Sequence, residues 1–346
     1  MTLPTHGRFG YSALPKRRDY SWPGGKRLAM YIAVNVETFG FGMEIGTVLG
    51  SALPMPDHRN WSWREYGNRV GIWRLLELFD ELKLPAAHLV NSYLYDSHPE
   101  VCEAIRKRGD EFVGHGRTNS ERPGARPEEE ERALIAEATR AIARHEGKPP
   151  SGWMTPLMAQ SKVSLDLLKE AGYRYSLDWP IDDQPCWLRT RSGALLNIPY
   201  PIELNDFVVI CQLNQDILQY VDTVIRQFEE MIEQCEKAPL VFSISLHTMI
   251  SGRITADRSL VLACSALKVS YRRTLGVEPA VRFVYLKGES ALIAERLHAR
   301  QGHFADERIL ASQLADLEEP QDAVTVDIAG TPPQIVHKIR KALDLE

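Results

Sequence analysis

Four side chains able to move protons or hold a water stand at the ends of apolar runs. Glu37 closes RLAMYIAVNVE (27–37), His115 follows DEFVG, Asp178 ends YRYSL and His247 ends SISL. Carboxylate and imidazole together suit hydrolysis, because imidazole titrates near working pH and can act as acid or base. DWPIDDQP adds Asp182 and Asp183, a carboxylate pair in which like-charge repulsion could keep one member protonated. Beside proline the same pair would equally cap a turn. In GHGRTNSE, Arg117 and Glu121 read either as a loop ion pair or, for Arg117, as a guanidinium clamp for a carboxylate. Trp179, next to Asp178, offers a flat ring for stacking. Trp61, Trp63 and Tyr66 in WSWREYGNRVG read as core or pocket wall.

The segments that must position these groups alternate in period. The β-branched run at 27–37 lacks polar alternation and suits a strand buried on both faces. NRVGIWRLLELFDELKL (68–84) has apolar residues at helical spacing, and PAAHLVNSYL reads as the next strand. HPEVCEAIRKRG is a helix with Gly109 as its C-terminal cap, and RPEEEERALIAEATRAIARHEG (126–147) is a charged amphipathic helix. SGWMTP reads as a strand end, SLDLLKEAG as a helix and YRYSLDW as a strand. Strand–helix alternation of this kind predicts parallel βα units, and a βα barrel gathers strand-end side chains into one site.

The motifs VNVETFGFG, GHGRTNSE, GWMTP, AGYRYSLDWPIDDQP, IPYPIELND and SISLH, in this order over residues 20–250, resemble the polysaccharide deacetylase family in its branch near the metal-independent allantoinases. The resemblance implies a distorted parallel βα (TIM-like) barrel that hydrolyses non-peptide C–N bonds of N-acetyl sugars or ureides. It implies His247 as general acid and Glu37 as general base or substrate anchor. His115 would polarise the attacked carbonyl or position water, and Asp182 or Asp183 could share the acid–base work. Arg117, Asn119, Glu121, Trp153, Asp178 and Trp179 are expected to bind substrate. His115 occupies the first place of the family's histidine metal pair, but Asn119 occupies the second, and amide is a poor ligand for a transition metal. Val36 and Thr38 flank Glu37 where the family places adjacent aspartates, and GWMTP lacks the family's arginine. These departures predict no cofactor and disfavour zinc.

After Gly252 the rhythm shortens. SLVLACSALKVSYRRTLG, VRFVYLKGESALIAERLHARQGHF, LASQLADLEEP and VTVDIAG resemble the C-terminal half of gluconokinase. That resemblance gives Lys268, Arg272 and Arg273 a sugar-acid role and Arg296 and Arg300 a phosphate role. The glycine-rich phosphate loop such a kinase requires, GxxxxGK followed by Ser or Thr, is absent from the sequence. The expected domains are therefore a deacetylase-like barrel over 1–252 and, over 253–346, an α/β segment resembling half of a P-loop kinase. RSLVLACSA and the helix after it are expected to cover part of the barrel's open side.

The chain has 346 residues and a net charge of −5, with basic residues spread evenly, so a nucleic-acid footprint is missing. The five cysteines show no CxxC spacing and read as reduced thiols. No run is apolar enough to span a bilayer or act as a signal, which leads to the expectation of a cytoplasmic protein. The expected partner is a small-molecule substrate, without nucleic acid or membrane, and family analogy admits a homo-oligomer. Two other functions compete with hydrolysis: an inactive sugar- or ureide-binding protein, and a gluconate kinase, which the missing loop opposes.

Overall fold

The computed structural model describes residues 5–43, 54–254, 267–275, 281–298 and 307–343. It divides into two compact units, Met1–Ala263 and Cys264–Glu346. The expected cover formed by RSLVLACSA falls on residues outside those described.

The first unit is a curled, mainly parallel sheet with helices outside it, the distorted barrel that strand–helix alternation predicts. Its strands are β1 (Leu28–Val36), β2 (Ala87–Val90), β3 (Glu111–Gly114), β4 (Gly152–Trp153), β5 (Tyr175–Ser176), β6 (Cys186–Thr190), β7 (Gly193–Asn197) and β8 (Leu240–His247). They lie in the order β6-β7-β5-β4-β3-β2-β1-β8. β1 sits between β2 and β8, parallel to both, with Asn35 opposite His247. Its final residues, Ile32–Val36, are fully buried, as the unbroken apolar run requires.

The sheet's two edges are joined by chain outside the named strands. Val241 N–H donates to the Asp183 carbonyl at one end of β8, and Ser245 N–H donates to the Leu204 carbonyl further along it. Sequence reading missed the antiparallel hairpin β6–β7. Its tight turn at Arg191–Ser192 needs Gly193 at φ 122°, which a side chain would resist. β4 and β5 are two residues each, much shorter than the apolar text around them.

One helical stretch matters most for the site. α1 (His58–Tyr66) runs through a π turn at Gly67–Gly71 into α2 (Ile72–Glu81). Ile72, Leu75, Leu76 and Phe79 face the core at helical spacing. Gly67 and Gly71 lie where a β-carbon would overlap Thr248, and Gly252 packs in the same way on Gly71. The helix thus rests directly on the backbone that follows His247. The predicted cap of helix Pro99–Arg108 is also present, with Gly109 left-handed at φ 77°.

The second unit contains a parallel pair, β9 (Val284–Lys287) and β10 (Val324–Asp327), with helices at Val269–Leu275, Ser290–His298, Glu307–Asp316 and Pro332–Ala342. Two of its arginines serve the local backbone. Arg272 is buried and donates to the Leu267 and Glu318 carbonyls, and Arg296 donates to the Gly330 carbonyl. Lys268 is half-buried at the start of the first of these helices, and Arg300 lies outside the described residues. Cys102, Cys186, Cys211 and Cys235 are free thiols. Among the described residues no helix is long and apolar enough to cross a membrane.

Candidate active site

Three of the expected catalytic residues meet at the C-terminal ends of neighbouring strands. Glu37 follows β1, His115 follows β3 and His247 ends β8. Oε1 of Glu37 lies 3.5 Å from Nε2 of His115 and 3.8 Å from Nε2 of His247. All three side chains are buried. These separations exceed a well-formed hydrogen bond, so one water or substrate atom could be shared among the three.

Each imidazole is held by its other nitrogen. Nδ1 of His115 donates to the Met154 carbonyl at 2.8 Å, which aims Nε2 at Glu37. His115 Nε2 is buried without a hydrogen-bond partner, an unstable situation unless something enters the cleft. Nδ1 of His247 meets Oδ1 of Asp206 at 2.7 Å. Oδ2 of Asp206 accepts from the His247 backbone N–H at 2.8 Å and from the Ser251 hydroxyl at 2.6 Å. Burial alone would push the His247 pKa down, but the charge and hydrogen bond of Asp206, with the charge of Glu37, raise it above the ordinary histidine value. Burial would likewise raise Glu37; the close approach of His115, with the charges of His247 and Arg64, outweighs it and holds Glu37 below the usual carboxylate range.

Several positioning groups had no individual part in the sequence reading. Asp206 sits in IELND, directly before a π turn at Phe207–Gln212, and no apolar run announces it. Arg64 lies buried on α1 with its guanidinium 4.3 Å from the Phe39 ring centroid. Asn68, on the π turn, donates to the Glu37 carbonyl at 2.7 Å. Asn91 accepts from Thr38 N–H at 2.8 Å and donates to the His115 carbonyl, tying the ends of β1 and β3 together. The recoverable signal was polarity at a strand end, since Asn91 directly follows AHLV.

The remaining expected residues divide. Asn119 is in the cleft, where its amide donates to Oε1 of Glu37. Trp153 is core rather than pocket wall: it is 1% exposed and packs edge-on to Tyr173, with its indole N–H on Thr155. Arg117 forms the loop ion pair, at 2.5 Å from buried Glu121, and also reaches Glu137, so neither residue is left as a clamp.

Asp182 and Asp183 are a correction. The Asp183 carbonyl pairs with Val241 near the start of β8, whereas His247 ends that strand. The distance between these positions is roughly 20 Å at strand rise. Asp182 is neutralised there by Arg17 at 2.6 Å, and Asp183 is raised by burial and then by the Asp182 charge. β6 begins opposite Asn197, at the C-terminal end of β7, but the loop before it lies along the start of β8 and on Arg17, which keeps both carboxylates away from His247.

Two polar residues of the cleft are committed to side-chain neighbours. Asn119 directs an N–H at Glu37 where a second histidine would offer a lone pair. Asp206 has both oxygens engaged by His247 and Ser251. Among the described residues no group of three or more His, Cys, Asp or Glu is arranged to hold a metal ion.

Residues 65–176 match the polysaccharide deacetylase family. A Schizosaccharomyces pombe protein assigned as a polysaccharide deacetylase is 27% identical over 272 residues, covering 69% of this chain and 84% of that one. Among solved structures, PuuE allantoinase superposes with a TM-score of 0.62 at 22% identity, over 88% of this chain and 97% of its own. A polysaccharide deacetylase homologue of Pseudomonas aeruginosa PAO1 gives 0.60 at 24%, over 84% and 92%. These two establish the fold. A gluconokinase of Gluconobacter oxydans is 42% identical over 77 residues, 22% of this chain and 43% of its own length. The chain thus spans less than half of that kinase. It is similar to polysaccharide deacetylases over its first part and to gluconokinases over its C-terminal part.

Proposed function

We propose that the chain hydrolyses a non-peptide C–N bond of a small amide, ureide or N-acetyl sugar without a metal. The observation that carries this reading is the convergence of His115 and His247 Nε2 on one carboxylate oxygen of Glu37, with His247 backed by Asp206. Glu37, ionised at neutral pH, takes a proton from water as its oxygen attacks the carbonyl carbon. His115, held through Nδ1, presents Nε2 to that water. His247, whose charged form is favoured by Asp206 and Glu37, gives its proton to the nitrogen as the C–N bond breaks. Asp206 stabilises the charged imidazole and fixes its direction. The burial of all three groups suits a compact substrate.

Activity on allantoin and N-acetylated sugars, with and without chelator, tests the reading. Hydrolysis that survives chelation and disappears in His247→Ala and Glu37→Gln is expected. Loss of activity to chelator overturns the metal-free claim, and an active His247→Ala removes His247 as the acid.

A further inference from the structure

Trp179 follows Asp178 shortly after the end of β5. Its indole N–H donates to Oε1 of Gln160 at 2.8 Å, and its ring meets Phe9 and His6 from the N-terminal arm at centroid distances of 5.8 and 5.4 Å. Phe9 and His6 in turn pack on each other at 4.3 Å.

Gln160 passes this contact inward. Its amide donates to Oδ2 of Asp178 at 2.6 Å. Asp178 is buried and fully engaged. Oδ1 accepts the Thr155 N–H at 2.7 Å, and Oδ2 also accepts from the hydroxyls of Ser176 and Thr155 at 2.7 and 3.2 Å. A carboxylate that accepts four hydrogen bonds is committed to its neighbours. What it holds is the turn Thr155–Gln160, gripped at both ends.

That turn needs holding. Leu157 and Met158 are consecutive non-glycine residues in the left-handed region, at φ 57° and 53°. Such backbone persists only where its surroundings over-determine it. The residue just before the turn is Met154, whose carbonyl fixes Nδ1 of His115. Pro156 of the same turn packs where a β-carbon on Gly116, the neighbour of His115, would stand.

The arm is itself anchored. Arg8 makes a two-pronged pair with Asp166 at 2.7 and 2.8 Å, and the Arg8 carbonyl accepts the Arg189 N–H of β6 at 2.7 Å. The contacts form a continuous chain: arm, Trp179, Gln160, Asp178, turn, Met154 carbonyl, His115.

We propose that the N-terminal arm, acting through Phe9 and Trp179, is a positioning element that sets the ring orientation and Nδ1–H form of His115. On this account Trp179 and Asp178 are positioning residues and not substrate contacts. The inference rests on the proposed role of His115 only for its effect on rate; the geometric part stands without it.

The test separates the two. The protein is labelled at its histidine ring nitrogens, and the His115 signals are assigned by their loss in His115→Gln. Wild-type protein is expected to show a single Nδ1-protonated His115. Trp179→Phe keeps a ring against Phe9 but removes the N–H to Gln160, and Phe9→Ala removes the arm's packing. Both are expected to split or broaden the Nδ1 signal of His115 while leaving that of His247 in place. Phe9→Leu, which keeps apolar bulk, is expected to restore the single signal. Where hydrolysis is measurable, Trp179→Phe is expected to lower kcat about tenfold with KM within about twofold, in line with the cost of misplacing a catalytic group. An unchanged His115 signal in folded Trp179→Phe and Phe9→Ala overturns the proposal. Perturbed signals with no hydrolysis in wild type leave the positioning claim standing and sink the functional reading. A raised KM with kcat intact makes Trp179 a substrate contact instead, which also overturns it.

Discussion

Asp206 and His247 are joined twice, once through the ring nitrogen and once through the backbone N–H, with both oxygens of one carboxylate engaged. The side chain that tunes the imidazole therefore also fixes the end of β8. Chemistry and local backbone are coupled at this point, and substitutions there should affect both.

Asp206→Asn keeps the shape and loses the charge. Asp206 raises the His247 pKa, so its removal lowers it, and the alkaline limb of the pH–rate profile should move to lower pH. The rate at neutral pH should fall by roughly 10²-fold, the scale of a general-acid contribution. A profile of kcat/KM against pH for both proteins checks this; an unmoved alkaline limb contradicts it.

The same pair makes a stability prediction. A histidine whose folded pKa is raised contributes stability that is fully present below its unfolded pKa and is lost as pH rises through the folded value. The difference in melting temperature between wild type and Asp206→Asn should thus be largest in mildly acidic solution and shrink as the medium becomes alkaline. Thermal scans over a pH series read this directly.

Arg64 offers the opposite sign. Its charge is one of the influences holding the Glu37 pKa down, so Arg64→Gln should raise it and move the acid limb of the profile to higher pH. KM should change less than kcat if the guanidinium acts through Glu37. A large rise in KM alone would instead place Arg64 on the substrate.

Gly71→Ala tests the close approach of helix and loop. The added methyl has backbone on two sides, from Thr248 and Gly252, with no flexible side chain to yield. The expected cost is about 1–3 kcal/mol, the range for overpacking, with loss of activity because the backbone after His247 must move. Urea unfolding of this variant beside Gly109→Ala, whose glycine has open space around it, separates crowding from backbone strain.

Much of the cleft was legible because a parallel strand delivers its chemistry where an apolar run stops. Glu37, His115 and His247 obey that rule. Asp206 escapes it, because it reaches the site from a π turn and not from a strand. Arg64 was hidden among aromatic neighbours that read as core, and it is their rings that cover its charge. Asp182 and Asp183 misled because carboxylates on a loop near a strand end do not announce their neighbours, here the start of β8 and Arg17. Trp153 misled by position within a two-residue strand, where a one-residue step turns pocket into core.

The placement of β1 between β2 and β8 has a consequence for how the chain is made. β1 can find β2 early in synthesis, but the partner on its other side, paired from Leu28 with Leu240, emerges only after well over half the chain. Until then the strand that leads to Glu37 carries an open, apolar edge, the kind of surface that recruits wrong partners. Arrival of β8 seals that edge and brings in His247 in the same event. A nascent chain stalled before β8 should therefore be both sticky and inactive, and recognition by chaperones should fall as the last stave of the barrel leaves the ribosome.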